Sequence, residues 1–146
     1  MDSVQAAADY LDQTQGSVLL TTGSKHLPDY TKIQDYQNRA YLRLLPSPEM
    51  LQKAVDTGFL PAHLIAMQGP FSAQMNECIL REYSIDWMVT KISGHAGGFE
   101  EKVEAAKKAG VGVCAILPPS ENVCQTEISG DERKSSMYIC ENVYDT

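Results

Sequence analysis

The sequence predicts an α/β domain, a three-layer αβα arrangement with a mainly parallel sheet of about five strands. Three observations point there. Short, mainly apolar runs without strict alternation recur at 18–21, 40–45, 63–69, 85–91 and 111–117, as strands covered on both faces require. Amphipathic stretches of helical spacing lie between most of them. Glycine or proline punctuates each changeover.

Taken in order, Ser3 can cap a first helix with Val4, Ala7, Ala8 and Leu11 on one face, and Gly16 stops it. The first strand, 18–21, runs into a polar glycine turn at 22–25. The stretch 26–38 reads as a short helix before the second strand, 40–45. Pro46 ends that strand. Ser47 is then a natural N-cap, Pro48 fits the first helical position, and Gly58 stops the helix. Its expected buried stripe is Leu51, Ala54 and Val55. After the third strand, 63–69, a helix over 70–83 is expected to bury Met75, Cys78 and Ile79. The fourth strand is 85–91. "TKISGHAGG" follows, and then a helix with Phe99, Val103 and Ala106 on one face. The fifth strand, 111–117, ends at Pro118 and Pro119. Residues 1–119 are read as one domain. Residues 120–146 form a polar, divergent tail with one extra strand at 137–143.

The chain of 146 residues is 43% hydrophobic and 21% charged, with a formal net charge of −7. That balance speaks against nucleic acid or an anionic membrane as the main partner, since phosphate backbones demand a basic surface. No apolar run reaches the ~20 residues of a membrane span. The acidic start, "MDSVQAAADYLDQ", lacks the basic region of a signal peptide. Cys78, Cys114, Cys124 and Cys140 form no Cys-x-x-Cys pair, and His26, His63 and His95 stand apart, so no metal site is expected. The cysteines read as reduced, cytoplasmic thiols, with Cys78 and Cys114 in the core.

Ligands of an open parallel sheet bind at the carboxyl ends of its strands. Four segments leave those ends: "TTGSK" (21–25), "LLPSPE" (44–49), "MQGPFS" (67–72) and "TKISGHAGG" (90–98). Three carry glycine, hydroxyls or lysine. Glycine lets a ligand approach backbone, and helix starts behind such loops favour anions. A phosphate- or carboxylate-bearing ligand, most commonly a nucleotide, is therefore expected at this edge. "GHAGG" is not the dinucleotide fingerprint, and no phosphate-loop lysine motif is present. Arg43, inside an apolar run, reads equally as a snorkelling edge residue or as an anion contact. Glu100 and Glu101 at the start of the last helix, with Lys107 and Lys108 at its end, complement the helix dipole and form a solvated face.

Taken together, "VLLTTGSK", "RLLPSPEML", "LIAMQGPFS...N" (ending at Asn76) and "VTKISGHAGGFEEKVEAA" resemble, in order and spacing, the carboxyl-terminal half of the precorrin-6A and cobalt-precorrin-6A reductases, over about residues 2–118. The resemblance implies two Rossmann-like halves with NADPH and a tetrapyrrole between them, of which this chain has the second; Met1 falls near where that half begins. It implies a cytoplasmic oxidoreductase of cobalamin biosynthesis, partnered by an amino-terminal half. It also implies a coenzyme site formed by Thr22, Gly23, Ser24, Lys25, Gln68, Gly69, Ser72, Lys91, Ser93, Gly94, Gly97 and Gly98, with Arg43 at the 2′-phosphate. The macrocycle's carboxylates would suit the same lysines, and no proton donor is singled out. The family loop usually reads Lys-acid-Ser-Gly-Gly-x-Gly-Gly; here Ile92 stands for the acid and His95 for a glycine. An isolated nucleotide- or anion-binding module is the alternative. A methyltransferase is a weaker one, in which Glu49 would be the acid after the second strand.

Overall fold

The computed structural model describes residues 3–92, 98–116 and 137–139. Its elements are α1 (Ser3–Asp12), β1 (Ser17–Leu20), α2 (Leu27–Tyr30), α3 (Tyr36–Arg39), β2 (Ala40–Leu44), α4 (Pro48–Thr57), β3 (Leu64–Ala66), α5 (Ala73–Glu82), β4 (Ile85–Lys91), α6 (Phe99–Ala109), β5 (Gly112–Ile116) and β6 (Met137–Ile139). The strands form one sheet in the order β3-β2-β1-β4-β5-β6. Every pairing is parallel, with Val18 opposite Ala40 and Trp87, Trp87 opposite Gly112, and Val113 opposite Met137. The expected α/β architecture is thus present. The segment read as a tail contributes β6 to the same sheet.

Strand alternation sorts the core into two layers. Val18, Leu20, Leu42, Leu44, Val89 and Cys114 face one way and pack with Val4, Ala7, Leu11, Leu27 and Ala54 of α1, α2 and α4. Leu19, Met88, Val113 and Ala115 face the other way and pack with Ile79, Leu80, Ala105 and Ala106 of α5 and α6. Burying each leucine or isoleucine stabilises the fold by about 1.5–3 kcal/mol. The helix signals behave as expected. Ser47 Oγ accepts from the Met50 amide at 3.4 Å, and Gly58 ends α4 at φ 113°, where a side chain would be strained and would also meet the Tyr36 hydroxyl.

Several expectations are corrected. Val55 is 40% exposed, so Ala54, with partly buried Met50 and Leu51, carries the inner face of α4. On α5, Met75 is 41% exposed and Cys78 is also exposed, while Asn76, Ile79 and Leu80 are buried. The inner stripe is rotated toward Asn76 because that polar side chain has a buried partner, as described below. The third strand is only Leu64–Ala66, since one 3-10 turn (Pro61–His63) precedes it. Arg43 is not on an edge strand, because β2 lies between β3 and β1.

Arg39 fastens the first turn of the fold. It is 8% exposed. Its Nε donates to the Gly16 carbonyl at 2.7 Å, Nη1 to those of Leu11 and Gln34 at 3.3 Å, and Nη2 to Thr14 Oγ1 at 3.0 Å. Removing this donor takes a hydrogen bond from the Gly16 and Gln34 carbonyls, while that of Leu11 keeps the Thr14 amide and hydroxyl. Arg39→Met is expected to lower unfolding free energy by about 2–4 kcal/mol in denaturant titrations. A loss below about 0.5 kcal/mol, the range of an ordinary surface change, would contradict this role.

Candidate functional site

β1 pairs with β2 on one side and β4 on the other. The chain therefore leaves β1 in one direction and returns on its opposite flank, which makes β1/β4 the switch point where such sheets open a crevice. Thr21 marks the spot, its amide and hydroxyl both donating to the Val89 carbonyl of β4, at 3.0 and 2.7 Å. Beside it, at the carboxyl ends of the strands, lies a cleft of about 440 Å³. That is within the usual range of about 300–1,000 Å³ for small-molecule sites.

Successive strand exits form its walls. Thr21 and Gly23 follow β1, Leu44 and Leu45 end β2, and Met67, Gly69, Pro70 and Phe71 follow β3. Gly23 has φ 83° with open space where a Cβ would stand, so backbone conformation alone calls for glycine there. Gly98 joins the wall as the N-cap of α6, at φ 73° and with no side-chain cap. The first amides of that helix are therefore left without a side-chain acceptor.

The cleft's polar groups come from three elements. Arg43 alternates with Leu42 and Leu44 along β2 and so emerges on the α5–α6 face of the sheet, 5% exposed. Its Nη1 donates to Asn76 Oδ1 at 2.7 Å, and its guanidinium carbon sits 3.9 Å from the centre of the Phe71 ring. Such cation–π contact strengthens when water is excluded. Asn76, on α5, is 2% exposed. Arginine only donates, so Oδ1 must face Arg43, which leaves Nδ2 as a buried donor without a partner among the described residues. The third group is Lys102 of α6, whose Nζ donates to Thr90 Oγ1 at 3.2 Å.

Burial lowers the Arg43 pKa to about 10. The Lys102 pKa falls to about 8, first through burial and then through repulsion from Arg43. Both groups are charged at neutral pH. Among the described residues neither forms an ion pair with a carboxylate; the ion pairs present, such as Lys32–Asp9 and Arg81–Glu77, lie elsewhere. Two desolvated cations, an orphan amide donor and glycine-lined walls fit an anionic nucleotide such as NADPH. Among the described residues no cluster of three potential metal ligands occurs, and no helix is long and apolar enough to cross a membrane.

The structure brings together four of the residues anticipated from sequence: Gly23, Arg43, Gly69 and Gly98. The other expected residues that are described are not among the cleft walls. Thr22 is hydrogen-bonded to the Tyr30 hydroxyl at 2.7 Å. Ser72 caps α5, its hydroxyl accepting from the Met75 amide at 3.0 Å. Ser24, Lys25, Gln68 and Lys91 are not among the cleft walls, and the two lysines and Gln68 are exposed. Ser93, Gly94, Gly97 and His95 lie outside the described residues.

Lys102, Asn76 and Phe71 fall within the quoted motifs but are not among the site residues expected from sequence. A signal did exist for two of them. Lys102 is three residues after Phe99 and four before Ala106, on the inner side of α6. Asn76 is three residues before Ile79 and four before Leu80, so it shares their face of α5. Ile92, which replaces the acid of the resembled loop, packs into the α5–α6 core and supplies no countercharge.

Comparison with known proteins agrees with this architecture. The family model described as "Precorrin-6x reductase CbiJ/CobK" matches residues 1–134. The cobalt-precorrin-6A reductase of Priestia megaterium is 33% identical over 82% of this chain and 48% of its own length. That of Methanothermobacter thermautotrophicus is 46% identical over 58% of this chain and 28% of its own. A solved CobK precorrin-6A reductase superposes with TM-score 0.60 at 26% identity, covering 97% of this chain and 50% of that one. A mycobacterial protein solved with NADPH shares the fold alone, at TM-score 0.53 and 13% identity over 85% of this chain and 39% of that one. The chain thus spans about half or less of the length of these relatives. By that family match and by its likeness to curated members, the chain belongs to the precorrin-6x reductase CbiJ/CobK family.

Proposed function

We propose that this chain is the coenzyme-side, carboxyl-terminal half of an NADPH-dependent precorrin-6A or cobalt-precorrin-6A reductase, acting in the cytoplasm with an amino-terminal half and a tetrapyrrole substrate. The observation that carries the reading is a pair of cations, buried Arg43 and half-buried Lys102, in a cleft at the carboxyl edge of a parallel sheet. An acidic chain has many carboxylates with which to neutralise such groups, yet among the described residues none pairs with either. A bound anion supplies what is missing.

NADPH, when bound, supplies the hydride for one macrocycle carbon, with a proton added at the neighbouring carbon. The residues of this chain position and hold. Gly23 and Gly69 allow close approach along the two loops, and Arg43 and Lys102 attract the phosphate groups. Phe71 covers one face of the Arg43 guanidinium and keeps water from it. The apolar walls, Leu44, Leu45 and Met67, shield the rest. The protein's contribution is thus orientation and field, while the redox chemistry belongs to the coenzyme.

Fluorescence titration tests the reading. NADPH is expected to bind saturably and at least about tenfold tighter than NADH, as a desolvated phosphate contact implies. Arg43→Met, with folding checked by thermal melting, is expected to erase most of that preference. Absence of saturable NADPH binding, both by this chain and by the chain joined to an amino-terminal half, would overturn the coenzyme assignment.

A further inference from the structure

We propose that Lys102 is a carbamylation site: its ε-amine takes up carbon dioxide reversibly, and the carbamate formed pairs with Arg43 inside the cleft. The inference adds a regulation to the site read above as a coenzyme cleft, and only its competition test rests on that reading.

The first argument is reactivity. A lysine becomes nucleophilic when it is desolvated beside another cation. Lys102 is half-buried, lines the cleft and is repelled by Arg43. With its pKa at about 8, about one amine in ten is neutral at pH 7. An ordinary lysine, near 10.4, has about one in two thousand. The partial exposure of Lys102 lets a molecule as small as carbon dioxide reach the amine.

The second argument is what the product meets. Among the described residues no carboxylate pairs with Arg43 or Lys102. Arg43 holds more N–H groups than its one described hydrogen bond, to Asn76 Oδ1, uses. Asn76 Nδ2 is a buried donor without a partner among the described residues. The cluster thus has surplus donors and surplus positive charge. Carbamylation turns a cation into an anion and brings two acceptor oxygens, while the remaining N–H keeps the bond to Thr90 Oγ1. Acetylation would remove the Lys102 charge but leave Arg43 unpaired, and an imine would bring no acceptor oxygen. Of the three products, the carbamate answers both the charge and the donors.

The step balances without a redox partner. The ammonium first loses a proton to water. The nitrogen lone pair then bonds to the carbon of carbon dioxide, one C–O π pair moves onto oxygen, and a second N–H proton leaves to water. One ammonium and one carbon dioxide give one carbamate and two protons.

The elements around Lys102 offer no competing charge. β5 is Gly-Val-Cys-Ala-Ile, and β4 faces Lys102 with the neutral Thr90. Lys91 at the end of β4 is exposed, and Asp86 accepts from the Ser17 amide near its start. On α5, Glu77 is paired with Arg81 at 2.8 Å. On α6, Glu101 and Glu104 are exposed, with Glu104 paired to Lys108 at 3.5 Å. From β2, Tyr41 is stacked on His63, and Arg43 is the charged group that perturbs Lys102.

Trapping with triethyloxonium, which converts carbamates into stable ethyl esters, followed by peptide mass mapping, tests this on the full chain equilibrated with carbon dioxide. Lys102 is expected to carry at least about tenfold more label than exposed Lys107 or Lys108. The α-amino group, which also titrates near pH 8, takes label as the positive control. At fixed dissolved carbon dioxide, the Lys102 label should rise with pH. The rise is up to about a hundredfold per unit below pH 8, where two protons are released, and up to about tenfold per unit above it, where one is. Arg43→Met, with folding checked by thermal melting, should lower the Lys102 label at least about tenfold and leave that of the α-amino group unchanged. Saturating NADPH should suppress the Lys102 label at least about tenfold.

Label on the α-amino group, with no more on Lys102 than on Lys107 and Lys108, would overturn the carbamylation site even if NADPH binds. Label on Lys102 that saturating NADPH leaves unchanged would uphold the site and count against the coenzyme reading instead.

Discussion

Two cations, buried Arg43 and half-buried Lys102, with no carboxylate partner among the described residues, set the constraint around which this structure is organised. Arg43 and Lys102 reach one small volume from β2 and α6. Holding such charges away from water is costly unless something negative joins them. The fold tolerates them through partial measures: Asn76 accepts from Arg43, Phe71 lies against its face, and Thr90 accepts from Lys102. Each measure satisfies hydrogen bonding or packing, and none supplies negative charge. The protein is consequently poised for an anionic guest.

Topology makes this arrangement available. β2 runs through the middle of one half of the sheet, so Arg43, pointing to the α5–α6 face, is covered by the crossover from β3 to β4. That crossover is α5, which places Asn76 against Arg43. The next crossover, from β4 to β5, is α6, which carries Lys102 back over Thr90. Three residues far apart in the chain meet because consecutive parallel crossovers lie side by side on one face. Glycines at 23, 69 and 98 then keep the strand exits free of side chains around them.

Much of the architecture was legible in the sequence because it rests on local signals. Apolar runs set the strands, and Ser47, Pro48 and Gly58 bounded a helix with the expected geometry. The glycine-bearing exits pointed to the edge of the sheet where the cleft lies. Less legible was which polar residues the fold would bury. Periodicity assigns a helix face by its apolar members, so Met75 and Cys78 outranked Asn76 although the asparagine is the inner residue. Lys102 was lost among the charges of α6, and Arg43 could not be placed on an inner strand before strand order was known. Lys25 and Lys91 drew notice by sitting in glycine loops, yet both are exposed. A buried cation is recognisable only from what covers it, and those partners are remote in sequence.

Membership in the precorrin-6x reductase family gives the cleft a chemical context, and the chain spans about half or less of the length of those relatives. The physical core of the account can be measured on this chain by itself. NMR titration of the Lys102 side chain, labelled at the ε position, should report a pKa of about 8 in the free protein. With saturating adenosine 2′-phosphate it should rise to about 10 or above, the ordinary range of a lysine beside negative charge. An ordinary pKa in the free protein, or a depressed one that the phosphate leaves unmoved, would contradict the claim that these cations await an anion.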